Sequence, residues 1–169
     1  MVAIALLLSA ALRPGDAPVS VRLETAYVQP DVDASTRGAG AGASVAYRLN
    51  DQFSAVAGAS ESLLWVPPPS GGPRETRHLT MAFLGLEALI DATPIEPYLE
   101  LCLVRLVPRT AGYSVAARTA IGADWRLARL MAIGLAVRSF TPLNAPGGIT
   151  SVAGTEVAFR LTWIPGRTR

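Results

Sequence analysis

The stretch Val19-Ser20-Val21-Arg22-Leu23-Glu24-Thr25-Ala26-Tyr27 alternates apolar with polar or charged residues, and Thr155-Glu156-Val157-Ala158-Phe159-Arg160-Leu161-Thr162-Trp163 repeats the pattern near the other end of the chain. A period of two means a strand with one apolar face. The opposite face of these strands carries full charges at mid-strand. In a soluble sandwich the apolar face would be the core. In a membrane barrel it would face lipid, and the charges would line the lumen.

The same periodicity predicts eight strands, at 19–28, 40–49, 53–65, 78–90, 97–107, 112–123, 128–140 and 154–164. Each is near the length a tilted strand needs to cross a bilayer, and longer than the usual soluble strand of about 5–6 residues. The connections alternate in length. Asn50 to Gln52, Asp91 to Glu96 and Asp124 to Leu127 are short, Asp- or Asn-led turns of the kind turn chemistry prefers. The segments 29–39, 66–77 and 141–153 are long and rich in Gly, Pro, Ser and Thr, while 108–111 is shorter. Tight turns on one side and long loops on the other mark a transmembrane barrel. The expected fold is therefore all-β, an eight-stranded antiparallel up-and-down transmembrane β-barrel.

Setting the charged parity inward gives a consistent assignment for strands one, two, five, six, seven and eight. Small or charged residues then point inside, with Leu, Val, Ile and aromatics outside, the inverse of a water-soluble barrel. The expected lumen charges are Arg22, Arg48, Arg118, Arg138 and Arg160 against Glu24, Glu87, Glu100 and Glu156, with Glu61 a further candidate. An eight-stranded lumen is only wide enough to be filled by side chains. Unpaired charges there would cost several kcal/mol each, so they should pair and hydrogen-bond. Strand three keeps two assignments open, because Glu61 shares parity with Ala55, Ala57 and Ala59, and the other parity holds Ser54, Gly58, Ser60 and Ser62. In strand four, an inward Glu87 carries Met81 and Phe83 inward as well, unless a bulge intervenes. Aromatics gather near strand ends, at Tyr27, Trp65, Tyr98, Tyr113, Trp125, Phe140 and Trp163. The residues expected to face lipid or form its interfacial girdles are Tyr27, Trp65, Tyr113, Trp125, Phe159 and Trp163.

Composition narrows the alternatives. At 169 residues the chain makes one domain, and although 50% of it is hydrophobic, no apolar run is long enough for a helical span. The net charge of +2 is scattered and comes from Arg without any Lys, so no nucleic-acid footprint is visible. Cys102 is the single cysteine, which excludes an internal disulfide and reads as a buried structural thiol. Residues 1–17 read as a signal peptide, an apolar stretch from Val2 to Leu12 followed by Pro14, Gly15 and Ala17, and 18–169 as the barrel domain.

With this strand count, loop asymmetry and charged lumen, and with a terminal strand Val-Ala-Phe-Arg-Leu-Thr-Trp, the chain resembles the small eight-stranded outer-membrane barrels of the OmpA-transmembrane and OmpX-like kind. The resemblance implies a bacterial outer-membrane location, a monomer surrounded by outer-membrane lipid, and a last strand read by the barrel-assembly machinery. That strand continues past Trp163 with Ile164 and a basic tail, where the family usually ends on an aromatic. Some barrels similar to this one are lipid A deacylases that use a lipid-facing His and Ser. Here the single His, His78, is followed by Thr80 on the same face with Glu75 near, but Thr stands for Ser and Met81 replaces the family's Asn. No metal spacing, phosphate loop or nucleophile elbow is present. The expectation is a barrel without enzyme activity or cofactor, structural or acting through its loops. A narrow pore for ions or small solutes, a lipid-modifying enzyme at His78 and a soluble lipocalin-like binder are the alternatives.

Overall fold

The computed structural model describes residues 19–30, 36–67, 72–73, 75–90, 94–108, 114–128, 130–143 and 154–165. Within them the chain forms β1 (Val19–Pro30), β2 (Arg37–Arg48), β3 (Phe53–Val66), β4 (Glu75–Leu89), β5 (Ile95–Pro108), β6 (Ser114–Ala128), β7 (Met131–Pro142) and β8 (Gly154–Trp163). Each strand pairs antiparallel with its sequence neighbour, and β1 pairs with β8 to close the barrel. The expected signal peptide, Tyr113 and much of the three long segments and of the shorter one at 108–111 lie outside the described residues.

Paired residues followed around the wall lead from Val19 through Tyr47, Ala55, Leu86, Leu101, Thr119, Ser139 and Thr155 to Gln29, ten residues further along β1. With a rise near 3.3 Å per residue and strands near 4.8 Å apart, that stagger tilts the strands by about 40°. A barrel of this girth has an interior that side chains can fill.

The alternation runs without a break through β3 and β4, which pair residue for residue from Phe53 with Ala88 to Val66 with Glu75. No bulge rescues an all-polar lumen. Met81 and Phe83 point inside at 2% and 6% exposure, and Ser54, Gly58, Ser60 and Ser62 line the inner face of β3. Glu61 therefore points outward and is not a lumen charge. Tyr98 and Phe140 also point inward, because they share parity with Glu100 and Arg138.

The turn expected at Asp124 to Leu127 is not there. β6 continues to Ala128, and the hairpin closes between Ala128 and Met131, with a register shift between Arg126 and Ala128. Asp124 is only 5% exposed. The alternation of Asp124 and Arg126 against Trp125 and Leu127 simply carries on, and it turns Asp124 into the lumen, 3.5 Å from Arg160. Between β2 and β3, by contrast, the turn forms as its residues suggest. Asn50 Oδ1 accepts from the amides of Gln52 at 2.9 Å and Phe53 at 2.8 Å, an Asx turn.

The outer wall is apolar. Leu23, Leu84, Leu86, Leu99, Leu101, Leu103, Ile121, Leu135, Val137, Val157 and Phe159 all stand exposed on it. Carrying the stagger round the barrel brings Tyr47, Phe53, Trp125 and Trp163 to the same height within about one residue. Outward polar residues return at Glu61, Arg105, Thr141 and Thr155, near the loop ends of their strands. The apolar belt between the two levels is roughly 20 Å tall, close to the band of a membrane barrel. Tyr27 and Trp65 flank it on the loop side. This surface belongs in lipid.

Leu135 lies on that belt with 61% of its surface exposed. Replacing it with Arg should cost about 2–4 kcal/mol of stability in a bilayer, the cost of a cation near the midplane of a barrel wall. Reversible denaturant titration in lipid vesicles would measure this. A neutral or stabilising effect would show that the wall faces water.

Candidate functional site: the charged lumen

Alternation delivers one inward charge at a time, from strands on all sides of the barrel, and the narrow bore brings them together. Arg22 of β1 reaches across to Glu87 of β4 with two parallel bonds, Nη1 to Oε2 at 2.8 Å and Nη2 to Oε1 at 2.5 Å. Such a fork is the strongest geometry available to an Arg–carboxylate pair. Arg160 of β8 is the hub. Its Nε donates to Glu24 at 2.9 Å and its Nη1 to Glu87 at 3.2 Å, with Glu100 and Asp124 each 3.5 Å away. Arg138 of β7 bridges Glu24 at 2.5 Å and Glu156 at 2.7 Å. Arg118 of β6 donates to Glu100 at 2.5 Å.

Eight of the nine lumen residues expected from sequence thus join one network: Arg22, Glu24, Glu87, Glu100, Arg118, Arg138, Glu156 and Arg160. Arg48 does not join. It is half-buried at the turn-side mouth, where it lines a cavity. At the β1–β8 seam, Glu24 and Arg160 are direct register partners and are hydrogen-bonded. Arg22 and Glu156 of the same two strands instead pair across to β4 and β7. Arg126 and Glu96 make a further pair near the turn side.

Aromatic faces complete the lining. The Arg118 guanidinium lies 3.6 Å from the Phe83 ring centre and that of Arg160 lies 4.3 Å from Tyr98, both cation–π contacts. Glycine makes room for these rings. A Cβ on Gly58 would stand 2.6 Å from the Phe83 ring, and one on Gly122 would collide with the Tyr98 hydroxyl. Asp124 and Tyr98 are the members that sequence reasoning missed, while Phe83 was expected inward unless a bulge intervened. Parity with Glu100 would have found Tyr98, and Asp124 was hidden because it reads as the head of a turn.

Above the charges the lumen is mainly apolar, with Ser60 and Ser62 of β3 beside the apolar side chains. Val28, Leu64, Leu79, Met81, Val104, Leu106 and Phe140 pack together at the loop ends of their strands. Below, a cavity of about 310 Å³ opens toward the turns, lined by Ser20, Arg22, Arg48, Asp51, Ser54, Glu96, Asp124 and Thr162 among others.

Outside the barrel, His78 Nδ1 and Glu61 Oε1 are hydrogen-bonded at 2.9 Å across β3 and β4. Glu75, the acid expected near His78, pairs with Arg77 at 3.1 Å instead. Thr80 shares the outer face with His78, but no hydrogen bond between them accompanies the pair among the described residues. Of the expected lipid-facing residues, Tyr27, Trp65, Trp125, Phe159 and Trp163 stand on the exposed outer wall. No metal-binding group of His, Cys, Asp and Glu occurs among the described residues.

No protein-family model and no curated protein matches the chain. Solved structures do. Neisserial surface protein A superposes with a TM-score of 0.65 at 16% identity, covering 88% of this chain and 98% of that one. The outer membrane protein OprG from Pseudomonas aeruginosa gives 0.59 at 14% identity, covering 86% and 92%. The N-terminal β-barrel domain of OprF from the same organism gives 0.55 at 13% identity, covering 85% and 96%. The chain has the fold of the small outer-membrane barrels.

Removing the hub should be costly. Arg160→Met leaves buried carboxylates without their shared cation and should destabilise the barrel by about 3–5 kcal/mol. Arg48→Met removes a charge outside the network and should stay within about 0.5 kcal/mol. Denaturant unfolding of both variants in the same lipid would compare them, and equal losses would contradict the network as drawn.

Proposed function

We propose that the protein is an integral outer-membrane barrel without catalytic activity, a monomer in lipid whose lumen is closed by its own side chains. The rigid wall holds the segments 29–39, 66–77 and 141–153 on one face for contact with other molecules. One observation carries this reading: the outer wall is apolar while the inward charges are spent on one another. Arg22, Arg118, Arg138 and Arg160 all end on carboxylates within the barrel. A site meant to take up a charged solute would leave such groups facing a passage. The lining supports closure over conduction, and the terminal strand ending at Trp163 supports delivery by the barrel-assembly machinery. Loops carry function when a rigid scaffold presents them, and a shared fold does not transfer a neighbour's role.

A non-catalytic role is supported by the outer pair as well. His78 is bonded to Glu61, and among the described residues no hydrogen bond joins it to Thr80, the kind of link that activates an acyl-transfer nucleophile.

The refolded protein should migrate faster in gel electrophoresis unheated than boiled, and should fractionate with outer membranes. In planar bilayers it should show no steady channel current. Lipid A from cells making the wild type or His78→Ala should carry the same acyl chains by mass spectrometry. A protein soluble without detergent, a stable conductance, or acyl loss that depends on His78 would each overturn the corresponding part of the proposal.

A further inference from the structure

The lumen has two unlike halves, and their contents are segregated by height. Every residue lining the 310 Å³ cavity comes from the turn-side end of its strand or from a turn: Ser20 and Arg22 open β1, Ser54 opens β3, and Thr162 closes β8. At its floor stand two nearly buried polar residues, Asp124 and Thr162. A cavity of this size with polar groups on its lining holds water. The charge count agrees. Four buried guanidiniums, of Arg22, Arg118, Arg138 and Arg160, face five buried carboxylates, of Glu24, Glu87, Glu100, Glu156 and Asp124. The carboxylate with the weakest pairing, Asp124, is the one on the cavity.

The loop-side half differs in kind. Val28, Leu79, Met81, Phe83, Leu106 and Phe140 meet there, from the loop ends or middles of β1, β4, β5 and β7. A void of about 10 Å³ lies among apolar members of this group, at the lower limit for one water and offering it no hydrogen bonds from side chains.

We infer that the barrel is a one-sided aqueous vestibule: water and small hydrated ions enter from the turn side as far as Asp124 and Thr162, and the apolar tier bars them from the loop side. This rests on the closed-barrel proposal and deepens it, because it places the seal in the apolar tier and puts the ion network in contact with one compartment only. Cys102 is a built-in reporter. It is 2% exposed, its Sγ lies 3.4 Å from Glu100 and 3.7 Å from Arg118, and it belongs to the packed apolar cluster.

The test is thiol labelling of the folded barrel in detergent micelles, where both mouths are open, with a small cationic methanethiosulfonate. Wild-type Cys102 should stay unmodified until the protein is denatured. In a Cys102→Ala background, Ser54→Cys should label readily, whereas Val104→Cys, in the tier, should label about a hundredfold more slowly for want of access. Ser20→Cys serves as a second vestibule position should Ser54→Cys fail to fold, which heat-modifiable migration reports. Met81→Ser with Phe83→Ser should expose Cys102 to the reagent. Labelling of Val104→Cys as fast as Ser54→Cys, or protection of both vestibule cysteines, overturns the inference. A steady conductance would overturn the closed-barrel proposal and the seal together, whereas fast labelling of Val104→Cys without conductance would overturn the inference and leave the closed-barrel proposal standing.

Discussion

Arg160 occupies the point where four carboxylates converge, and the lower lumen is arranged around keeping that cation paired. A guanidinium removed from water loses several kcal/mol of hydration, which one carboxylate rarely offsets. Here Glu24 and Glu87 bond it, Glu100 and Asp124 lie just beyond, and the Tyr98 ring covers its face. Each of those acids is then shared. Glu24 also holds Arg138, Glu87 holds Arg22 and Glu100 holds Arg118. The bonds tie β1, β4, β5, β6, β7 and β8 through the middle, at right angles to the backbone ladders that tie them around the rim. A narrow barrel with lipid outside has nowhere else to place polar side chains, so the lumen network and the apolar wall are two consequences of one alternation.

The alternation also explains why the lumen is not uniformly charged. The tilt of about 40° that follows from the stagger sends each strand across much of the barrel's circumference. Residues close in height therefore come from quite different positions along their strands. The charges at Arg22, Glu87, Glu100, Asp124 and Arg160 fall toward the turn side, where a cavity lets water reach their edge. Val28, Leu79, Leu106 and Phe140 fall toward the loops, where they pack on one another. Read one strand at a time, these apolar residues look like exceptions to a polar inner face. Read across the bore, they form a layer.

That difference marks what was legible in the chain. Wall orientation is a property of a single strand with period two, and Leu23, Leu99, Ile121, Leu135 and Phe159 declare it locally. Pairing of Glu24 with Arg160 was also within reach, since the first and last strands must meet for the barrel to close. Asp124 was not, because an Asp at the end of an alternating run looks like the head of a turn, and only the pairing of Trp125 and Arg126 with β7 reveals that the strand goes on. Tyr98 and Phe140 sit near strand ends, as girdle aromatics do, yet their parity sends them inside. Glu61 was ambiguous for a different reason. The Ala residues on one face of β3 and the Ser and Gly on the other differ too little in polarity to set a direction. Only its pairing with β4, where Glu87 must point inward, decides the matter.

The same small residues give the barrel its internal asymmetry. β2 and β3 present Gly40, Gly42, Ser44, Gly58, Ser60 and Ser62 to the lumen, so between Val56 and Leu64 one side of the bore has little side-chain volume. Phe83 from the adjoining β4 fills part of that space, its ring against Gly58, and Arg118 from the opposite side extends until its guanidinium stacks on it. Larger residues on β2 or β3 would push Phe83 back, and Arg118 would lose the ring that covers it while still needing Glu100. The thin wall is thus a condition for the long side chains opposite. It lets an Arg and a Phe meet near the axis, at the boundary where the charged network ends and the apolar tier begins.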